Sequence, residues 1–150
     1  MARRVAAGSV IIDAMTRRRL DELGDLLELP YCAVLSTHRE DGSDLLSPVW
    51  HEYLDGGFNV CVPVGDVKLR HLARDPRASI VVFDHAAPGR GFEVRGIVRL
   101  LEDTGRAISR RITLRYMDEE RAGPYLEKVP PMVVVRLEGI ERGWDFREEA

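Results

Sequence analysis

Lysine occurs only twice in this chain, at Lys68 and Lys128, against twenty arginines. Lys68 falls within VCVPVGDVKLRHLARDPRASIVVFD, residues 60–84, where an apolar run ends in a Pro and Gly bend and a short helical segment follows. With Asp66 as the helix N-cap, Lys68 sits in the first turn, where unpaired backbone N–H groups and the positive end of the helix dipole favour an anion. A lysine there adds a compact charge suited to phosphate. Asp66 opposes this by placing a carboxylate at the same spot, and a solvated helix lysine is the competing interpretation. The preceding residues Cys61, Val62, Pro63, Val64 and Gly65 are small and uncharged, so a flat ring could approach their backbone closely.

A second stretch, LLSPVWHEY, puts Ser47, Val49 and His51 on one strand face and Pro48 and Trp50 on the other. Proline within a strand points to an edge or a bulge, where backbone groups stay free to meet a ligand. Trp50 is either part of that surface or core filling. In PGRGFEVRG the glycines lack the strand-to-helix context of a dinucleotide fingerprint. Arg90 is then a loop arginine or a contact for an acidic cofactor. The arginines of RRITLRY are expected on the wet face of a helix.

Other chemistries find less support. His38, His51, His71 and His85 stand in different elements and share no metal-ligand spacing, so no metal site is expected. The serines and histidines lack a nucleophile elbow, which argues against covalent catalysis. No side chain is identifiable as a catalytic acid or base. Cys32 and Cys61 lie in apolar runs without paired spacing and are expected to be buried free thiols.

The elements that must position these residues follow from periodicity. Helices are expected over 13–27, 66–74 and 103–117, from apolar spacings near three and four. Strands are expected at Tyr31–Thr37, Leu45–Tyr53, Gly57–Val64, Ala78–Asp84, Phe92–Leu101 and Met132–Trp144, with HAAPGRG as a loop and Gly96 at a bend or bulge. The run ASIVVFD is expected to be covered on both faces. Six strands joined by two tight hairpins and short helices point to a small, mainly β barrel, whose closure removes exposed edges.

A length of 150 residues suits one domain, residues 1–150, with 1–12 as an N-terminal arm. The net charge of −3 gives no global reason to bind nucleic acid. The N-terminal apolar run is broken by Gly8, Ser9 and Asp13, which argues against a signal peptide or a membrane span and for a cytoplasmic protein.

Taken together, YCAVLSTHREDG, SPVWHEYLDGG, VKLRHLARDPRASIVV, FEVRGIVRLLED and GWDF resemble the pyridoxamine 5′-phosphate oxidase-like superfamily, in particular its flavin/deazaflavin oxidoreductases of actinobacterial type. The most specific part of the likeness is Lys68, Leu72, Asp75, Pro76 and Arg77. The resemblance implies a six-stranded antiparallel split β-barrel with flanking helices, forming a homodimer that binds FMN or coenzyme F420 between its subunits. It implies that Cys61, Val62, Pro63, Val64 and Gly65 line the ring and its linker, that Lys68 binds the phosphate, and that Ser47, Pro48, Val49 and Trp50 flank the ring. Arg90 and Gly91 would reach the cofactor tail, and Trp144 the partner's site. The extra arginines of the oxidase itself have no counterparts here, which argues against pyridoxamine phosphate oxidation. The activity implied is hydride transfer from F420 or FMN to a small organic substrate. The alternatives are a non-catalytic carrier of flavin, haem or another tetrapyrrole, or a barrel that has lost its cofactor.

Overall fold

The computed structural model describes residues 17–146. The arm at 1–12 and the start of the expected first helix lie outside them. In chain order the elements are β1 (Arg17–Arg18), a 3-10 turn (Leu20–Leu23), α1 (Gly24–Glu28), β2 (Ala33–His38), β3 (Asp44–Val49), β4 (Glu52–Leu54) and β5 (Gly57–Pro63). They continue as α2 (Val67–Arg74), β6 (Arg77–Asp84), β7 (Ala87–Glu102), a 3-10 turn (Thr104–Arg106), α3 (Ala107–Tyr116), α4 (Glu119–Lys128) and β8 (Met132–Asp145).

Seven strands follow one antiparallel path, β3-β2-β6-β7-β8-β5-β4, and β1 adds beside β8. This is the mainly β architecture expected, with one strand more along the path, because the run expected over Leu45–Tyr53 is interrupted at Trp50 and His51. The expected closure is corrected: no ladder pairs β3 with β4, so the sheet is left open at this interruption. β3 and β4 stand at opposite ends of the ladder path, yet only two residues of chain separate them. The sheet curls until its ends are joined by the backbone at Trp50–His51, with no hydrogen-bonded ladder there. Pro48, which has no N–H to donate, lies beside this seam.

The interior is filled from alternating positions. Ala33 and Leu35 of β2, Val60 and Val62 of β5, Ile80 and Val82 of β6, and Phe92 and Val94 of β7 are all buried. Phe58 stacks on Phe92 with ring centres 5.4 Å apart. Leu20, Leu23 and Leu26 plug one side of this core.

Several expectations are corrected. The described part of the expected helix over 13–27 is two strand residues, a 3-10 turn and a five-residue helix: the backbone leaves helical geometry at Leu23, and Leu29, extended ahead of Pro30, ends the second piece. β6 is central but alternates, with Ser79, Val81 and Phe83 only partly buried. The expected loop HAAPGRG is mostly strand: β7 begins at Ala87, and the irregularity in register falls at Phe83/Asp84. At Gly96 the ladder runs through without a bulge. Gly96 faces Gly139, and a Cβ on either would lie 2.0 Å from a carbonyl oxygen of the other strand. These glycines permit a close crossing of the two longest strands.

Candidate functional site

A cavity of about 330 Å³ opens beside the seam. Its wall takes Pro48, Val49 and Trp50 from the end of β3 and the junction after it, Cys61, Val62 and Pro63 from β5, and Lys68 from α2. The α3–α4 pair covers it with Ser109, Ile112, Tyr125 and Leu126, and Cys32, Val129 and Met132 complete it.

The floor is set by β5, whose last residues leave the sheet at Pro63. Gly65, at φ +89°, makes the turn that residues with a Cβ resist. Asp66 then caps α2, accepting the Lys68 N–H at 2.9 Å. Its carboxylate also holds the Lys68 ammonium, with Oδ1 at 3.1 Å and Oδ2 at 3.2 Å. Partial burial works against ionisation of Asp66, but the hydrogen bonds and charge of Lys68 outweigh it and keep its carboxyl below the usual range. Leu72 is buried, and His71 Nδ1 lies 3.0 Å from the hydroxyl of fully buried Thr37 in β2, so α2 is fixed to the barrel. Asp75 accepts both the backbone and the guanidinium of Arg77, and Pro76 accepts the Val98 N–H at 2.8 Å. Of the run Lys68, Leu72, Asp75, Pro76 and Arg77, only Lys68 touches the cavity.

The roof is held by arginines. Arg111 donates twice to Glu52, at 2.6 and 2.7 Å, and Asn59 donates to the same carboxylate at 2.9 Å. Burial opposes charge on Glu52, but these bonds hold it ionised, below its ordinary range. Arg115 donates to the carbonyls of Leu27 and Leu29 at 3.2 and 3.1 Å. The expectation that the arginines of RRITLRY form a wet face holds for Arg110 and Arg111, which are exposed, and is corrected for half-buried Arg115; Arg111 and Arg115 also pin α3 across the seam. Trp50 stacks on Tyr116 at 4.9 Å, nearly parallel, and tilts against Tyr125 at 5.7 Å.

Apart from the Lys68 ammonium, the polar side-chain atoms of the wall are few and neutral. Ser109 donates to Asp103, and its Oγ lies 3.5 Å from Cys61 Sγ. Burial pushes the Cys61 thiol up to about 11, so it stays protonated and is no nucleophile at neutral pH. Both cysteines are free, but neither is fully buried as expected: Cys32 is exposed and Cys61 partly buried, and the two share one cavity wall.

The structure thus gathers Pro48, Val49, Trp50, Cys61, Val62, Pro63 and Lys68, and leaves the other expected site residues outside this wall. Ser47 is buried within the barrel, Val64 is exposed over a neighbouring depression, and Gly65 serves the turn. Arg90 is buried among carboxylates, bonded to Asp25 and lying 3.8 Å from Asp145 and 4.0 Å from Asp84. Gly91 pairs with Trp144, whose ring occupies the space a Cβ would need. The helix expected over 103–117 supplies half of the roof, but its lining residues Ser109 and Ile112, one turn apart, were not among the expected site residues, and the second helix was not expected because Gly123 and Pro124 hide it.

The family profile described as pyridoxamine 5′-phosphate oxidase matches residues 20–141. Among curated proteins none matches the chain. The solved structures it resembles include the conserved hypothetical protein Rv2991 from Mycobacterium tuberculosis, at 22% identity and a TM-score of 0.75, with 89% of each chain covered. An F420 reductase has 23% identity and a TM-score of 0.64 over 77% of this chain and 91% of its own. A FAD-binding protein from Mesorhizobium loti has 20% identity and a TM-score of 0.62 over 85% and 93%. At these identities the likeness is one of fold.

Proposed function

Since this chain belongs to the pyridoxamine 5′-phosphate oxidase family, we propose that it is a cytoplasmic oxidoreductase that holds the ring of F420 or FMN in the seam cavity. The observation that carries this is the cavity itself: apolar strand ends below, an aromatic and aliphatic helix pair above, and a lysine at one end. Its volume is near the lower end of the about 300–1,000 Å³ usual for ligand pockets, enough for a ring system while a long tail stays outside. When bound, the coenzyme supplies the hydride chemistry. The chain's own residues orient and desolvate the ring: Val62, Pro63 and Ile112 provide apolar faces, and Trp50 and Tyr125 an aromatic one. Ser109 offers hydroxyl lone pairs, because its proton is given to Asp103. Cys61, kept as a thiol, is a weak donor to a polar ring edge. No lining residue stands ready as a base, so a substrate proton comes from solvent.

The reading includes a homodimer in which a second copy covers the exposed Val64, Leu100 and Leu101 beside the cavity, and it includes neither nucleic acid nor membrane as a partner.

The test is separate titration of the purified protein with FMN and F420. Binding should quench tryptophan emission in the wild type and in Trp144→Phe but not in Trp50→Phe, as Trp50 alone of the two lines the cavity. Failure of both coenzymes to bind overturns the reading.

A further inference from the structure

We propose that Asp66 is a specificity-determining residue: its carboxylate occupies the anion position at the start of α2, so the cavity takes a ring ligand whose end at Lys68 carries no phosphate monoester. The proposal rests on the ring-binding reading above. A helix start holds a phosphate oxygen through a first-turn backbone N–H and a nearby cation. Here both donors are engaged within the chain: the Lys68 N–H at 2.9 Å and the Lys68 ammonium at 3.1 Å both go to Asp66 Oδ1.

The carboxylate is not on a free arm. The Asp66 N–H donates to the Pro63 carbonyl at 3.0 Å, and the Leu69 N–H returns to the Asp66 carbonyl at 3.1 Å, so the turn and the helix fix the Asp66 backbone between them. Only 15% of the Lys68 side chain and 24% of that of Asp66 is exposed, which limits screening by water. Among the described lining residues Lys68 is the one charged side chain, and Asp103, bonded to Ser109 behind the wall, is a further carboxylate.

A phosphate monoester, with a charge of about −1.5 to −2 at neutral pH, would meet a lysine already neutralised and an aspartate beside it. An uncharged polyol end meets no such repulsion. A phosphodiester, with one charge, meets less of it, and this orders F420 ahead of FMN.

Riboflavin and FMN share one ring and differ only in the phosphate monoester, so their affinity ratio isolates the effect. The full chain is titrated with each by flavin fluorescence, as wild type, Asp66→Asn, and Asp66→Asn with Lys68→Ala. Asparagine retains the N-cap, and thermal unfolding verifies that the variants fold. Wild type should bind the two within about threefold of each other. Asp66→Asn should tighten FMN by about tenfold with riboflavin nearly unchanged, and the added Lys68→Ala should abolish the gain. An FMN preference of about tenfold in the wild type, or a ratio unmoved by Asp66→Asn, overturns the proposal and leaves the ring-binding reading standing. Failure of either flavin to bind any variant also overturns it, and the F420 titration then decides whether that reading survives.

Discussion

Tyr116 has one hydroxyl proton and gives it to the Tyr31 carbonyl at 2.7 Å, so His51 Nδ1, 3.0 Å from the same oxygen, must be the donor in their contact. Its Nε2 is then a bare acceptor in the core, without a hydrogen-bond partner, on a fully buried ring beside Phe58. Burial, and then the charge of Arg115, push His51 down to about 3. The unfolded chain therefore binds a proton more readily than the folded one between about pH 6.5 and 3, and stability is full above that window and falls as pH drops through it. The slope is about 1.4 kcal/mol per pH unit. Urea denaturation from pH 8 to 5 should show it in the wild type and a flatter profile in His51→Phe. At the same scale, Arg111→Ala leaves buried Glu52 with only Asn59 and should cost about 1–2 kcal/mol, a loss restored in part by Arg111→Lys. Lys68 and the β5 end were legible in the sequence because a strand, a turn and a capped helix leave local signatures. The anchoring role of Arg111 and Arg115 was not, since their partners Glu52, Leu27 and Leu29 lie far away in the chain.

Among the elements, α4 was the one the sequence concealed. Its Gly123 and Pro124 lower the helix signal, yet the capping carboxylate of Asp118, bonded to the Arg121 N–H at 2.9 Å, starts it, and packing of Ala122 and Leu126 holds it. Arg106 ties its far end by donating to the Leu126 and Val129 carbonyls. Nothing lies within 4 Å of a Cβ built on Gly123, so Gly123→Ala should stabilise the protein by about 0.5–1 kcal/mol. Gly96→Ala should act in the opposite sense. With backbone 2.0 Å away and no flexible side chain to yield, a loss of about 3 kcal/mol or more is expected in chemical denaturation. The alternation of Phe92, Val94 and Val98 was readable along β7, but the purpose of Gly96 was not, because it depends on Gly139 across the sheet.

For the molecule as a whole, the mainly β architecture was readable from strand count and hairpin turns, whereas the open seam was not: no local pattern tells that β3 and β4 part at Trp50 and stay unpaired. A ligand bound in the seam cavity should stabilise the folded state by about 2.7 kcal/mol at a free concentration a hundredfold above Kd, and the unfolding temperature should rise with its concentration, as binding to the folded state alone requires. Trp50→Phe with Tyr125→Leu should reduce that shift, measured from the double variant's own unliganded midpoint, which falls as the ring contacts with Tyr116 and Tyr125 are lost.

The barrel is a curled ribbon whose rims are tied twice across one seam, by the backbone at Trp50–His51 and by α3, through Arg111 to Glu52, Arg115 to the Leu27 and Leu29 carbonyls and Tyr116 to the Tyr31 carbonyl. A single proteolytic cut in the turn at 39–43 would leave β3 held by its six-residue pairing with β2. A cut between Trp50 and His51 would sever no ladder at all, and the helix ties would then alone hold the two rims of the binding compartment together.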